Sequence, residues 1–340
     1  MATFNIYKLH FTSPLHISDR RDDYGKSLRF LHSDTMYAAL TDCLAKIGEK
    51  IPDNGDLGFT ISSLFPYYQE SERGKPVFFL PMPFQTHMPE LKDIAMAKKV
   101  KKVQWVDSDL YPKILQGVSI FEDSGQYVDK IQASYLTEKT LPFNIDGSKE
   151  FMISEVFKRV KKEDRTGKED AWPFYIDRIT FKDASGLFFI VTGNTTLLDK
   201  AIKLLTLEGI GTDRNVGFGF FEYEKSTIDI NTPTDTEHQI SLSLLIPETQ
   251  DQLKMLLDSD KVAYDFERRG GWITGTTLRK NAIYGFLPGS VLHRKEEGCI
   301  GKIVDLQPHI NEKSLTPHHI WRCGKSIMLP IAIEQKRYDR

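Results

Sequence analysis

The stretch Gly209-Ile210-Gly211-Thr212-Asp213-Arg214-Asn215-Val216-Gly217-Phe218-Gly219 decides how this chain is read. It carries four glycines and an Arg214-Asn215 pair, and it runs into Phe220, Phe221 and Tyr223, an apolar segment with the look of a strand. Upstream, Leu197, Leu198, Ala201, Ile202, Leu204 and Leu205 recur at helical spacing. The order is helix, glycine loop, strand. A loop that cradles a dinucleotide runs the other way, from strand into helix, so that helix N-terminal amides meet the phosphate. Arg214 also stands where the third glycine of that fingerprint belongs. A Rossmann unit therefore does not fit. What the loop offers is bare backbone, a guanidinium and an amide that can approach a phosphodiester chain. The plainer alternative is a tight helix-to-strand connection whose glycines only supply positive φ.

Two other stretches imitate the tail of a phosphate-binding P-loop, Gly25-Lys26-Ser27 and Gly324-Lys325-Ser326. Arg20 and His319 occupy their leading glycine positions, which removes both.

At 340 residues the chain is long enough for two domains of ordinary size. A net charge of −2 gives no global basic signature, so any nucleic-acid site must be a local patch. The three cysteines, Cys43, Cys299 and Cys323, are odd in number and far apart, which argues against a disulfide framework and a structural zinc site. The sequence opens directly into a strand-like run without a charged and apolar leader, and no apolar segment reaches the length of a membrane span. A cytoplasmic, soluble protein with no membrane association is the expectation.

Outward from the loop, Phe4 to Phe11 alternates as a strand that Pro14 ends. Ser33-Asp34 offers an N-cap, and Met36, Tyr37, Leu40, Cys43, Leu44 and Ile47 mark a helical face that stops at Gly48. Pro76 to Phe84 is a short apolar strand whose prolines suggest an edge or an exit. Lys92, Lys98, Lys99, Lys101 and Lys102 then make a basic run, which reads as a solvated helix face or as an inserted RNA-contacting segment. Val156 to Val160 and Trp172 to Phe181 predict a long hairpin with a charged turn over Lys161 to Lys168. Thr232 to Thr236 has linker composition. Beyond it, Tyr264 to Ile273 and Leu278 to Tyr284 mix cations, glycines and aromatics, which suits backbone tracking with base stacking.

These residues resemble a known family. The glycine loop leading into a strand is similar to the signature loop of the RAMP superfamily of CRISPR proteins. Tyr7-Lys8-Leu9, Ser13-Pro14-Leu15-His16-Ile17, His32-Ser33-Asp34-Thr35, Leu278-Arg279-Lys280 and Phe286-Leu287-Pro288-Gly289-Ser290 narrow the resemblance. Together they resemble the Csm-type subunit of type III-A effector complexes that caps the 5′ end of the guide RNA. The resemblance implies an α+β chain of two ferredoxin-like (βαββαβ, RRM-like) domains. They span about 1–231, with a basic insertion near 85–150 and a thumb hairpin near 151–181, and about 237–340. It further implies binding of the repeat-derived 5′ tag of the crRNA and contact with the large polymerase-and-nuclease subunit and a backbone RAMP subunit. Target RNA would be met indirectly, in antiviral defense. A structural RNA-binding role without catalysis or cofactor is the implied function.

The expected RNA site is His16, Arg20, Ser33, Arg165, Arg178, Gly209, Gly211, Arg214, Asn215, Gly217, Gly219, Arg268, Arg269, Arg279 and Lys280. The loop residues, His16 and Ser33 rest on the family motifs. Arg165 and Arg178 rest on the inferred hairpin, and the last four on the cation-aromatic cluster. Two alternatives stay open. Metal-free RNA cleavage needs a base, a charge stabiliser and an acid, which His16, His32 and Arg20 or Arg214 would supply. In a protein-only scaffold, the basic clusters would meet acidic partner surfaces. His309, His318 and His319 have no recognisable metal-ligand spacing.

Overall fold

The computed structural model describes residues 2–18, 24–85, 94–118, 120–121, 127–142, 151–161, 172–273, 276–311 and 313–333. In the first half the elements are β1 (Ala2–Phe11), α1 (Ser33–Lys46), β2 (Phe59–Ile61), β3 (Phe65–Tyr68), β4 (Val77–Pro81), α2 (Ile94–Lys101), β5 (Trp105–Asp107), α3 (Tyr111–Leu115), β6 (Ile131–Gln132) and β7 (Tyr135–Leu136). Then follow β8 (Met152–Lys161), β9 (Trp172–Phe181), β10 (Gly186–Gly193), α4 (Thr196–Glu208) and β11 (Phe221–Ile230). The second half holds β12 (His238–Ser241), α5 (Gln250–Leu256), β13 (Phe266–Arg269), β14 (Ile283–Phe286) and β15 (Val291–His293), with shorter strands after them. The chain is thus α+β.

One large sheet runs β11-β1-β10-β3-β4-β5-β7-β6, with β2 also on β10. β1 lies next to the edge strand β11, pairing antiparallel with β10 (Ile6 opposite Ile190) and with β11 over its full length (Ala2 opposite Ile230, Phe11 opposite Phe221). β10 reads Leu187-Phe188-Phe189-Ile190-Val191 without alternation because both of its faces are covered, and all five are buried. α1 and α4 pack on each other and against this sheet. α1 buries Met36, Tyr37, Leu40, Cys43 and Leu44, and α4 buries Leu198, Ala201, Ile202 and Leu205. The Tyr7 hydroxyl of β1 donates to Asp199 of α4 at 2.5 Å, fixing the helix on the sheet.

Two expectations change. β4 lies inside the sheet, between β3 and β5, and not at an edge. Its prolines do not forbid this: Pro81 is its last residue, and Pro76 and Pro83 stand outside it. Ser33 belongs to the first turn of α1, whose cap position is His32. The Ser33 hydroxyl is used elsewhere, accepting the Leu244 amide at 2.9 Å across the two halves. The basic stretch of α2 does form a helix, with Lys98, Lys99 and Lys101 exposed and Val100 buried.

In the second half, β12 is flanked by β15 and the strand Met328–Ile331. Among the described residues this half has a single helix, α5. The halves share one core, since Ile240, Leu242, Val291, Ile327, Leu329 and Ile331 belong to the same buried cluster as β1, β10, α1 and α4. β13 and β14 form a separate two-stranded ribbon, as do β8 and β9.

Candidate nucleic-acid interface

α4 stops at Gly209, whose φ of 73° is left-handed. The chain then closes on itself: Ile210 donates to Gly219 at 2.9 Å, and a Cβ on Gly219 would lie 1.9 Å from the Ile210 carbonyl oxygen. A Cβ on Gly211 would fall 2.4 Å from the His16 carbonyl oxygen, and one on Gly209 2.8 Å from that of Phe218. These three positions need glycine because backbone meets backbone. Between them, Arg214–Val216 is a single 3-10 turn bounded by left-handed Asp213 (φ 63°) and Gly217 (φ 94°). Gly217 is different, with nothing within 4 Å of where a Cβ would be. At this lobe Asn215 is exposed, Val216 is 54% exposed, and Arg214 makes, among the described residues, a loose contact with Glu208 at 3.9 Å.

The loop is seated on the segment that follows β1. The Gly219 amide donates to the Pro14 carbonyl at 2.8 Å, Thr212 donates to His16 at 2.9 Å, and Phe220 donates to the Ser13 hydroxyl at 2.8 Å. Leu15 in turn exchanges two 2.8 Å backbone bonds with Ile179 of β9. β8 and β9 pair antiparallel from Met152–Phe181 to Lys161–Trp172. Arg159 of β8 reaches back to Asp213 at 2.6 Å and lies over the Phe218 ring at 5.0 Å. The opening segment, the glycine loop and the hairpin are therefore one structural unit.

His16 sits under this unit, fully buried, with Nδ1 2.7 Å from the Asp177 carbonyl oxygen. The Asp177 carboxylate accepts the Ser27 amide at 2.9 Å and the Ser154 hydroxyl at 2.7 Å. Arg178 stacks on Phe157. Among the described residues, His16 Nε2 and Arg178 Nε are buried without hydrogen-bond partners. Arg20, Arg165 and the turn at 162–168 lie outside the described residues.

The remaining expected residues gather elsewhere, around Asp34 at the start of α1. Arg269 bonds it at 3.0 Å and Arg322 at 2.7 Å, and Arg269 also pairs with Glu267 at 3.1 Å. Burial alone would push the Asp34 carboxyl up. The Arg322 and Arg269 guanidiniums overcome this and hold it well below the usual carboxylate range. Lys280 is pushed down to about 8, by burial first and then by the Arg322 charge. His32 is buried, with Nε2 3.2 Å from Glu267. Ser33 and Arg269 are thus engaged in joining the two halves. Arg268 and Arg279 are exposed, with Arg279 4.7 Å over the Trp272 ring.

Sequence reasoning missed the ties that build the site: Arg159, Asp213, Asp177, Asp34 and Arg322. Asp213 adjoins Arg214 in the loop, but nothing in the spacing announces that its partner lies 54 positions earlier in the chain. Among the described residues no group of three His, Cys, Asp or Glu side chains could hold a metal ion, and no helix is long and apolar enough to cross a membrane.

Comparison with known proteins adds to this geometry. The family model of the CRISPR Csm4 C-terminal domain matches residues 234–331. The protein named "CRISPR system Cms protein Csm4" of Thermococcus onnurineus (strain NA1) is 24% identical over 284 residues, 78% of this chain and 83% of that protein. Among solved structures, the chain is similar to one in the Csm1-Csm4 cassette in complex with cA4, at 16% identity and a TM-score of 0.57, covering 98% of this chain and 100% of that one. It is equally similar to one in the Csm3-Csm4 subcomplex of the type III-A CRISPR-Cas interference complex, at 17% identity and a TM-score of 0.57, covering 97% and 100%. At these identities the structural likeness speaks for the fold. Family match, relative and fold agree with the resemblance carried by the glycine loop and the opening segment: residues 234–331 match the Csm4 C-terminal domain, and over most of its length the chain is similar to a Csm4 protein.

Proposed function

We propose that this chain is a structural, RNA-binding subunit of a type III-A CRISPR effector complex. It holds the repeat-derived 5′ tag of the crRNA and links the large subunit to a backbone subunit. The observation that carries this reading is the seating of the glycine loop on Pro14 and His16, which leaves the Arg214–Gly217 lobe outward with open space over Gly217. Bare backbone, a guanidinium and an exposed amide at one lobe are what an irregular single strand needs. In the same reading the hairpin of β8 and β9 is the thumb, and the order β11-β1-β10-β3 around α1 and α4 is that of a ferredoxin-like half. The similar chains sit in a Csm1-Csm4 cassette and a Csm3-Csm4 subcomplex, which supports the two protein partners by analogy. The burial of His16 and His32 speaks against either imidazole as a base on RNA.

The test is to purify the tagged protein gently from its host and sequence the 5′ ends of the RNA that comes with it. Uniform ends carrying a short repeat-derived tag, in a multi-subunit assembly, are expected. Their loss in Arg214→Glu would place the tag at the loop. Unprocessed repeat transcripts with the protein alone would instead favour an endoribonuclease, and an assembly free of RNA a protein-only scaffold.

A further inference from the structure

Arg268 and Arg269 are neighbours in β13 and face opposite ways. Arg269 turns inward to Asp34, whereas Arg268 is exposed. Alternate side chains of a strand share a face, so Phe266 and Arg268 lie together outward, Tyr264 just before the strand stacks against Phe266, and Tyr284 of β14 stands directly across from Arg268. The rings are open to solvent: Tyr264 is 41% exposed, Phe266 55% and Tyr284 59%. They also touch one another, Tyr264 to Phe266 at 6.4 Å and Phe266 to Tyr284 at 5.8 Å between centroids. Buried Phe286 meets Tyr264 edge-on at 5.2 Å and holds the row in place.

A contiguous exposed apolar row of this kind marks an interaction site. Its composition says what the occupant is. The outward row is aromatic and cationic, without an aliphatic side chain. Of the nearby carboxylates, Glu267 faces inward to Arg269, and exposed Asp265 is engaged by the amide of Phe266, which it accepts at 2.8 Å. Flat rings interleaved with an outward guanidinium are complementary to bases strung on a polyanion. The inward grip of Arg269 on Asp34 ties the ribbon to the start of α1.

We propose that the outward face of β13 and β14 is a stacking platform for successive bases of a single RNA strand. Tyr264, Phe266 and Tyr284 take the bases, and Arg268 takes a phosphate between them. This rests on the reading that the chain binds RNA, and it puts a second contact on the C-terminal half, apart from the glycine loop. Because every base has a π-face, the platform is tolerant of sequence.

Ultraviolet crosslinking of the assembled complex, followed by mass spectrometry, is the first test, with nucleotide adducts expected on Tyr264, Phe266 or Tyr284. Adducts confined to the Arg214 lobe would overturn the platform and leave RNA binding intact. Crosslinks from the ribbon to another polypeptide would make it a protein interface. An RNA-free assembly would remove both readings. The second test is the affinity of the full chain for a fluorescein-labelled single-stranded oligouridine. Phe266→Ala and Tyr284→Ala should each weaken it roughly 5- to 150-fold, the range for loss of one base-aromatic stack. Phe266→Trp should preserve it. Unchanged affinity in both alanine variants, with thermal melting also unchanged, would overturn the proposal.

Discussion

Arg159 of β8 donates to the Asp213 carboxylate at 2.6 Å, so the hairpin is latched to the glycine loop by an ion pair between two residues 54 positions apart. Both side chains are partly exposed, which limits the contribution of the pair to global stability to roughly 1 kcal/mol or less. Its effect is local. Arg159→Ala should leave the urea midpoint nearly unchanged while speeding amide hydrogen exchange in β8 and in Asp213–Gly217. Uniform protection of both segments in the variant would show that the latch does not hold them together.

Gly219 and Gly217 both have left-handed φ, at 74° and 94°, yet they should respond differently to alanine. A methyl at 217 meets open space and costs about 1–2 kcal/mol for the conformation alone. At 219 it would meet the Ile210 carbonyl oxygen at 1.9 Å, so the loop must move. Chemical denaturation should therefore rank Gly219→Ala well below Gly217→Ala in stability. Equal losses would mean that the close approach at Gly219 relaxes freely.

Asp34 is buried between Arg322 and Arg269, and removing its charge leaves buried Arg322 without a carboxylate partner among the described residues and Arg269 with Glu267 alone. Asp34→Asn should cost about 3–5 kcal/mol in urea unfolding, the usual penalty for breaking a buried pair from one side. The sign with pH follows from the direction of its shift. Its folded pKa lies below the unfolded value, so the contribution is full above about pH 4, near the unfolded carboxylate pKa, and is lost as pH falls through the folded pKa. The gap between wild type and variant should narrow in acid. A gap constant from pH 7 to pH 2 would exclude Asp34 as its source.

Lys280 is the opposite case. Its folded pKa of about 8 lies below the unfolded value, so the unfolded chain binds more protons between about pH 8 and 10. Stability then rises with pH across that window. Lys280→Met should raise the urea midpoint at pH 7, and the advantage should shrink by pH 9.5. If Lys280 also meets a phosphate, as its place in the sequence-expected RNA site implies, the stabilised variant should bind RNA more weakly. A midpoint lowered at pH 7 would show that the lysine is not a burden on the fold.

What could be read from the residues alone is what depends on local period and local backbone demand. The helical spacing of Leu198, Ala201, Ile202 and Leu205, the alternation of β1 and the apolar run of β10 all specify elements, because a buried face must repeat with the period of its element. The glycine pattern at 209–219 belongs here too, since positive φ at all four glycines is a demand the sequence meets openly. What only the tertiary structure decided is which polar groups face each other. Arg268 and Arg269 are equivalent in composition, and a register in the ribbon sends one to solvent and the other to Asp34. Ser33 looks like a cap until the Leu244 amide arrives from the other half. Arg159 and Asp213, and Asp34 and Arg322, are paired through strand order and domain packing. Such pairs leave no period in the chain, because the distance that matters to a charge is measured through space and not along the sequence.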